Sequence, residues 1–168
     1  MIVYVLYIMS KHSSYIRLWL LTTLFVLLFA ITSPVEAKGK VYGTAIVLKV
    51  VSVYDGDTFR ADLDGYPDIV GKNIGIRVNG IDTPEMRDKN PQVKALAIKA
   101  KEYAFKSLTE GKVIELRNMK RGKYFRIVAD VYVDEVNLGK ALVEAGLAVP
   151  YDGGTKPDWS ELIKGGHE

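Results

Sequence analysis

Val, Ile and Thr dominate Val41–Val53, and a second run of the same kind, Asp57–Leu63, follows the tight Asp55-Gly56 turn signal, so the two segments predict a β-hairpin. Ile74, Ile76 and Val78 then alternate with Gly75, Arg77 and Asn79, the period of a half-buried strand with Arg77 on the face away from the apolar set. At Asn90-Pro91 the period changes. Val93, Leu96, Ala97, Ala100, Ala104 and Leu108 recur at helical spacing until Gly111, with Asn90 as cap and Pro91 as first helical residue. Lys94, Lys99, Lys101 and Lys106 lie off that stripe and read as a solvated helix face. Two more strands are predicted at Lys112–Asn118 and Phe125–Val133, around a loop Met119–Tyr124. Apolar residues occupy both phases of the second, so its inward face is left open. Leu138, Ala141, Leu142 and Ala145 form a further helical stripe between the cap Asn137 and Gly146, and after Pro150 the chain is loop-like, with one helical turn from Asp158. Three strands, a helix, two strands and a helix make a mainly β, α+β domain. The natural candidate is a five-stranded Greek-key barrel of the oligonucleotide-binding (OB) fold with about two to three packed helices.

The N-terminal region has a different pattern. Leu18–Ile31 is an apolar run preceded by Lys11 and Arg17 and followed by Ser33-Pro34-Val35-Glu36-Ala37. It is shorter than the roughly 20 apolar residues a spanning helix needs. Val35 and Ala37 stand where a signal peptidase requires small residues, so residues 1–37 read as a signal peptide cut before Lys38, leaving 38–168 as an exported domain. Residues 1–8 are apolar where the leader should be basic, and translation from Met9 would give a more regular leader. The destination is periplasm or medium.

Composition then narrows the chemistry. With no cysteine among 168 residues, a disulfide framework, thiol catalysis and cysteine-rich zinc sites are excluded. The two histidines, His12 and His167, lie near opposite ends and leave carboxylates to carry acid–base work. The net charge of +3 permits a polyanionic partner without requiring one. Two acidic clusters stand out, Asp55-Gly56-Asp57-Thr58 at the first hairpin and Asp82-Thr83-Pro84-Glu85 beyond the strand bearing Arg77. Either cluster alone would pass for a turn. An EF-hand is excluded for the first, because Phe59 and Tyr66 would stand where that loop needs oxygen ligands.

Taken together, DGDT, Arg77, DTPE and the later Arg126 within KYFR resemble the thermonuclease family, the staphylococcal-nuclease-like secreted nucleases. The resemblance extends from Val41 to about Tyr151 and includes the element order. It implies an OB-fold barrel, calcium as cofactor, and cleavage of phosphodiester bonds in DNA and RNA; separately, the sequence points to no stable protein partner, and a monomer is expected. By the same resemblance, Asp57, Asp82 and the Thr83 carbonyl would be calcium ligands, Glu85 a general base or water-orienting group, Arg77 and Arg126 phosphate ligands, and Tyr124 a substrate contact. Tyr151 would take a similar part, through an alignment interrupted at Val149-Pro150.

The residue types agree with those roles. Two carboxylates and a carbonyl form an all-oxygen set suited to a hard cation, and Pro84 pushes Thr83 toward an extended conformation that helps direct its carbonyl. Two guanidiniums and a divalent cation are the expected clamp on a phosphate gaining charge in its transition state. A carboxylate is a weak base, so most of the acceleration must come from that clamp. The chain departs from the family in a short Met86–Gln92 stretch and in ending without a long C-terminal helix, which bears on substrate preference and stability. A non-catalytic nucleic-acid-binding barrel and a membrane-tethered structural protein are the competing readings.

Overall fold

In a computed structural model the described residues are 40–165, and the leader reading lies outside them. The chain runs β1 (Ala45–Val53), β2 (Thr58–Leu63), α1 (Asp68–Gly71), β3 (Ile74–Val78), β4 (Ile81–Asp82), α2 (Pro91–Glu110), β5 (Ile114–Arg121), a single 3₁₀ turn at Lys123–Phe125, β6 (Ile127–Val133), β7 (Val136–Asn137), α3 (Leu138–Glu144), β8 (Val149–Pro150) and α4 (Trp159–Gly165). The main sheet is ordered β3-β2-β1-β5-β6-β7, and a parallel pairing of β3 with β6 closes β1, β2, β3, β6 and β5 into a five-stranded barrel. This is the expected α+β barrel of OB type, with four helices among the described residues.

Closure requires curvature, and β1 supplies it. Its register against β2 slips between Val47 and Lys49 and again between Val50 and Ser52. The extra residues bend the strand, so that its two ends pair with different partners, β2 and β5. β5 also shifts register, between Arg117 and Lys120, where Asn118 takes a positive φ of 53°. That shift carries the strand to Arg121, through part of the predicted loop Met119–Tyr124. The apolar Met119 is buried there because the bulge turns it inward, which a strict alternation would not anticipate.

The interior is filled from the alternating positions, with Phe59, Ala61 and Leu63 of β2 meeting Ile74, Ile76 and Val78 of β3 and Leu116, Ala129 and Val131 across the barrel. On β6 the phase left open by the sequence resolves to Ala129, Val131 and Val133 inward. Helix α2 begins at the predicted cap, where the Asn90 side chain accepts a hydrogen bond from the Gln92 amide, and buries Val93, Ala97, Ala100, Ala104 and Leu108. Its small residues allow close approach. A Cβ added at Gly56, in the turn after β1, would fall 2.8 Å from Ala100 Cβ and 2.9 Å from Thr83 Cγ2, so the first acidic turn rests directly on the helix and on the second acidic cluster. Asn137 caps α3 through the Lys140 amide, as expected, and α4 begins after Asp158, which accepts from the Ser160 amide.

Candidate active site

Strand pairing determines which polar side chains meet. β2 and β3 align Thr58 with Arg77, so Asp57, one residue before Thr58, lies within reach of the Arg77 guanidinium. The Val78 amide also donates to the Asp57 carbonyl, at 2.8 Å. β4 follows two residues after β3 and ends at Asp82, which brings the second cluster back to the same arginine.

Arg77 Nη1 is 2.7 Å from Asp57 Oδ1 and Nη2 is 3.0 Å from Asp82 Oδ1, so one guanidinium bridges two carboxylates from separate clusters. Both acids are almost wholly buried, 2% exposed for Asp57 and 1% for Asp82. Burying charge is costly unless every oxygen is engaged. Asp57 Oδ1 also accepts from the Thr58 hydroxyl at 2.8 Å, and Asp57 Oδ2 from the Thr83 amide at 3.2 Å. Asp82 Oδ2 accepts from the indole Nε1 of Trp159 at 3.2 Å. Lys156 completes the cluster, its Nζ 2.5 Å from Glu85 Oε1 and 3.5 Å from Asp82 Oδ1. Burial pulls the Lys156 ammonium down, but the hydrogen bond from it to Glu85 and the charges of Asp82 and Glu85 outweigh burial and hold it above its ordinary value. Asp55 is pushed up to about 7, first by burial and then by the adjacent Asp57 charge.

An open cleft of about 1300 Å³ is lined by Asp57, Arg77, Thr83, Glu85, Arg126 and Tyr151 among others, while Asp82 and Trp159 are not part of its lining. Arg126 reaches it from the residue before β6, and the Tyr151 hydroxyl donates to the Gly154 carbonyl at 2.8 Å. Tyr124 stands apart. It is 88% exposed, with φ 56°, and borders a neighbouring groove that it shares with Arg126. The structure thus gathers Asp57, Asp82, Thr83, Arg77, Glu85 and Arg126 and leaves Tyr124 beside them.

Among the described residues no group of three or more His, Cys, Asp and Glu side chains is gathered for a metal. The buried pair Asp57 and Asp82 remains, with Thr83 beside it. Asp57 and Asp82 share the one Arg77 guanidinium, and Asp82 and Glu85 face Lys156. Carboxylate oxygens are donors that suit a hard cation, not a soft one.

The model of the family described as staphylococcal nuclease homologue matches residues 75–162, a span that takes in Arg77, Asp82, Thr83, Glu85 and Arg126 and stops short of Asp57. The chain belongs to that family. It is 30% identical over 118 residues to the thermonuclease of Staphylococcus hyicus, covering 70% of this chain and 66% of that protein. With the thermonuclease of Staphylococcus intermedius it shares 31% over 117 residues, 69% of this chain and 62% of the relative. A protein of Schizosaccharomyces pombe named "Probable endonuclease" is 30% identical over 127 residues, 62% of this chain and 55% of the relative. The chain therefore spans somewhat under two thirds of each of these relatives.

Within this staphylococcal nuclease homologue, three participants escape a reading of the sequence. Lys156 and Trp159 lie in the segment read as loop. They arrive because β8 pairs with β4, Asp82 opposite Val149, and because the Asn90 amide group donates to the Ser160 hydroxyl and so ties α4 to the start of α2. Gly75 is the third. A Cβ there would fall 2.9 Å from Arg126 Cγ, so the bare strand leaves the channel in which the arginine stem lies. Gly75→Val should displace the Arg126 guanidinium, so that Gly75→Val and Arg126→Ala are expected to lower phosphodiester cleavage to a similar extent. The check is turnover of both variants beside their melting temperatures, and a Gly75→Val protein with wild-type turnover would show that the arginine does not need this path.

Proposed function

We propose that this chain is an exported, calcium-dependent nuclease that hydrolyses phosphodiester bonds of DNA and RNA. The observation that carries the reading is the buried Asp57–Arg77–Asp82 bridge on the floor of a cleft whose walls hold Glu85 and Arg126. The relatives named thermonuclease support the same reaction class.

In this reading Asp57, Asp82 and the Thr83 carbonyl would hold calcium, which supplies Lewis-acid stabilisation of the phosphate charge. The remaining steps belong to the chain. Arg126 and the part of Arg77 facing the cleft donate to the phosphate oxygens as charge builds on them. Glu85 accepts a proton from water as its oxygen bonds to phosphorus, the P–O bond to the departing sugar oxygen breaks, and that oxygen takes up a proton from solvent. The Lys156 ammonium donates to the Glu85 carboxylate at the cleft wall.

The test is cleavage of end-labelled single-stranded DNA and RNA with calcium and with chelator. Both strands should be cut with calcium, and cutting should stop in chelator. Tight binding without cleavage in either condition would instead identify a non-catalytic nucleic-acid-binding barrel.

A further inference from the structure

Beside the candidate active site lies a second groove of about 680 Å³, and the two differ in their acidic residues. Asp55, Asp57, Glu85 and Asp152 line the first among its lysines and arginines, whereas no carboxylate lines the second among the described residues. The second is walled instead by Arg60, Arg87 and Lys101, from β2, the segment after β4, and α2. Arg60 is held in place by Asn73, which accepts from its Nε at 2.6 Å. Arg87 and Lys101 have no carboxylate within salt-bridge distance among the described residues, so their charge is available to a ligand.

Aromatic rings accompany the charges. Tyr124 and Phe125 form part of the groove wall, with Tyr54 where it meets the cleft. All three are exposed, Tyr124 most of all. Tyr124 and Phe125 are also consecutive residues with φ of 56° and 60°. Bulky side chains adopt that left-handed conformation at a cost on the order of 1 kcal/mol or more each, and such strain concentrates where a fold presents residues to a ligand. Rings interleaved with cations, in a groove free of acids, match the chemistry of unpaired bases on a phosphate backbone. Arg126 borders both grooves, as do Tyr54 and Thr58, so a strand held at the first passes into the second without leaving the surface.

We propose that this groove is a strand-binding track that carries single-stranded polynucleotide away from the active site, with Arg87 and Lys101 on phosphates and Tyr124 and Phe125 stacked on bases. The proposal rests on the nucleic-acid reading of the adjoining cleft. It adds a length requirement, since a substrate too short to reach the track gains nothing from it.

The experiment measures fluorescence anisotropy of 5′-labelled single-stranded DNA, a trimer and a 12-mer, on the protein in chelator. The wild type should bind the 12-mer at least about tenfold more tightly than the trimer, and Arg87→Ala/Lys101→Ala should remove most of that advantage without changing trimer affinity. Its salt dependence for the 12-mer should become shallower by about 1.4, the contribution of two single-strand phosphate contacts at about 0.7 each. Phe125→Ala should weaken the 12-mer alone, by about tenfold. Lys94→Ala/Lys99→Ala removes equal charge from α2 outside the groove and should leave both affinities in place. Equal loss in that control, equal loss on both oligonucleotides, or no loss in the groove variants overturns the track. The two readings fail separately. Length-dependent binding that the groove variants abolish, in a protein that cuts nothing with calcium, would sink the nuclease and keep the track. Cleavage without any length dependence would do the reverse.

Discussion

Glu85→Gln should lower single-turnover cleavage by roughly 10²- to 10⁴-fold, the range for losing a general base. Gln keeps the shape of the side chain and removes its charge. Calcium titration and the binding of a non-cleavable oligonucleotide should change little, because a base contributes mainly in the transition state. The geometry separates Glu85 from its neighbours in DTPE. Asp82 is buried and engaged by Arg77 and Trp159, whereas Glu85 is exposed on the cleft wall with Lys156 as its partner. Asp82→Ala should therefore weaken calcium binding, and Glu85→Gln should not. Wild-type turnover in Glu85→Gln would make it a turn residue and place the base elsewhere.

The second large effect is expected at Arg77. Its guanidinium touches Asp57 Oδ1, Asp82 Oδ1 and, at 3.5 Å, the Ile81 carbonyl, so it organises the floor of the cleft as well as facing into it. Arg77→Ala leaves two buried carboxylates without their shared counter-charge, and breaking a buried pair in this way costs on the order of 3–5 kcal/mol. Calcium should restore much of that stability by neutralising the same oxygens. Arg77→Lys retains the charge but places it at one point, so it cannot span both acids, and turnover should fall about 10²-fold or more. Thermal unfolding with and without calcium, beside turnover, checks both parts. A Arg77→Ala protein as stable as wild type in chelator would mean that the bridge adds nothing to the fold.

How much of this was legible in the sequence depends on the distance over which each signal acts. The β1–β2 hairpin, the alternation of β3 and the capped stripe of α2 are local patterns, and each sits where the residues indicate. The carboxylates and arginines were found because acids at strand ends have a recognisable chemistry and because the chain resembles a known family. Met119 was misplaced because a bulge changes the strand's phase, a feature set by barrel closure and absent from any window of residues. Lys156 and Trp159 remained invisible for a related reason. Their partners lie 71 and 77 positions away, and β4 and β8, which bring them together, are two residues long and too short to carry a period. Gly75 reads as a weak strand residue until Arg126 is seen lying across it.

The parallel seam between β3 and β6 pairs Ile76 with Ile127 and Arg77 with Val128, and Arg126 precedes that pairing by one residue. Arg77 and Arg126 are thus mounted on different lips of the joint that makes the cylinder continuous. A chain in which every strand but this joint has formed would own both arginines and lack any fixed spacing between them. If the two arginines hold a phosphate, that grip depends on the seam staying paired, and a local opening there would separate them while the rest of the molecule is still folded.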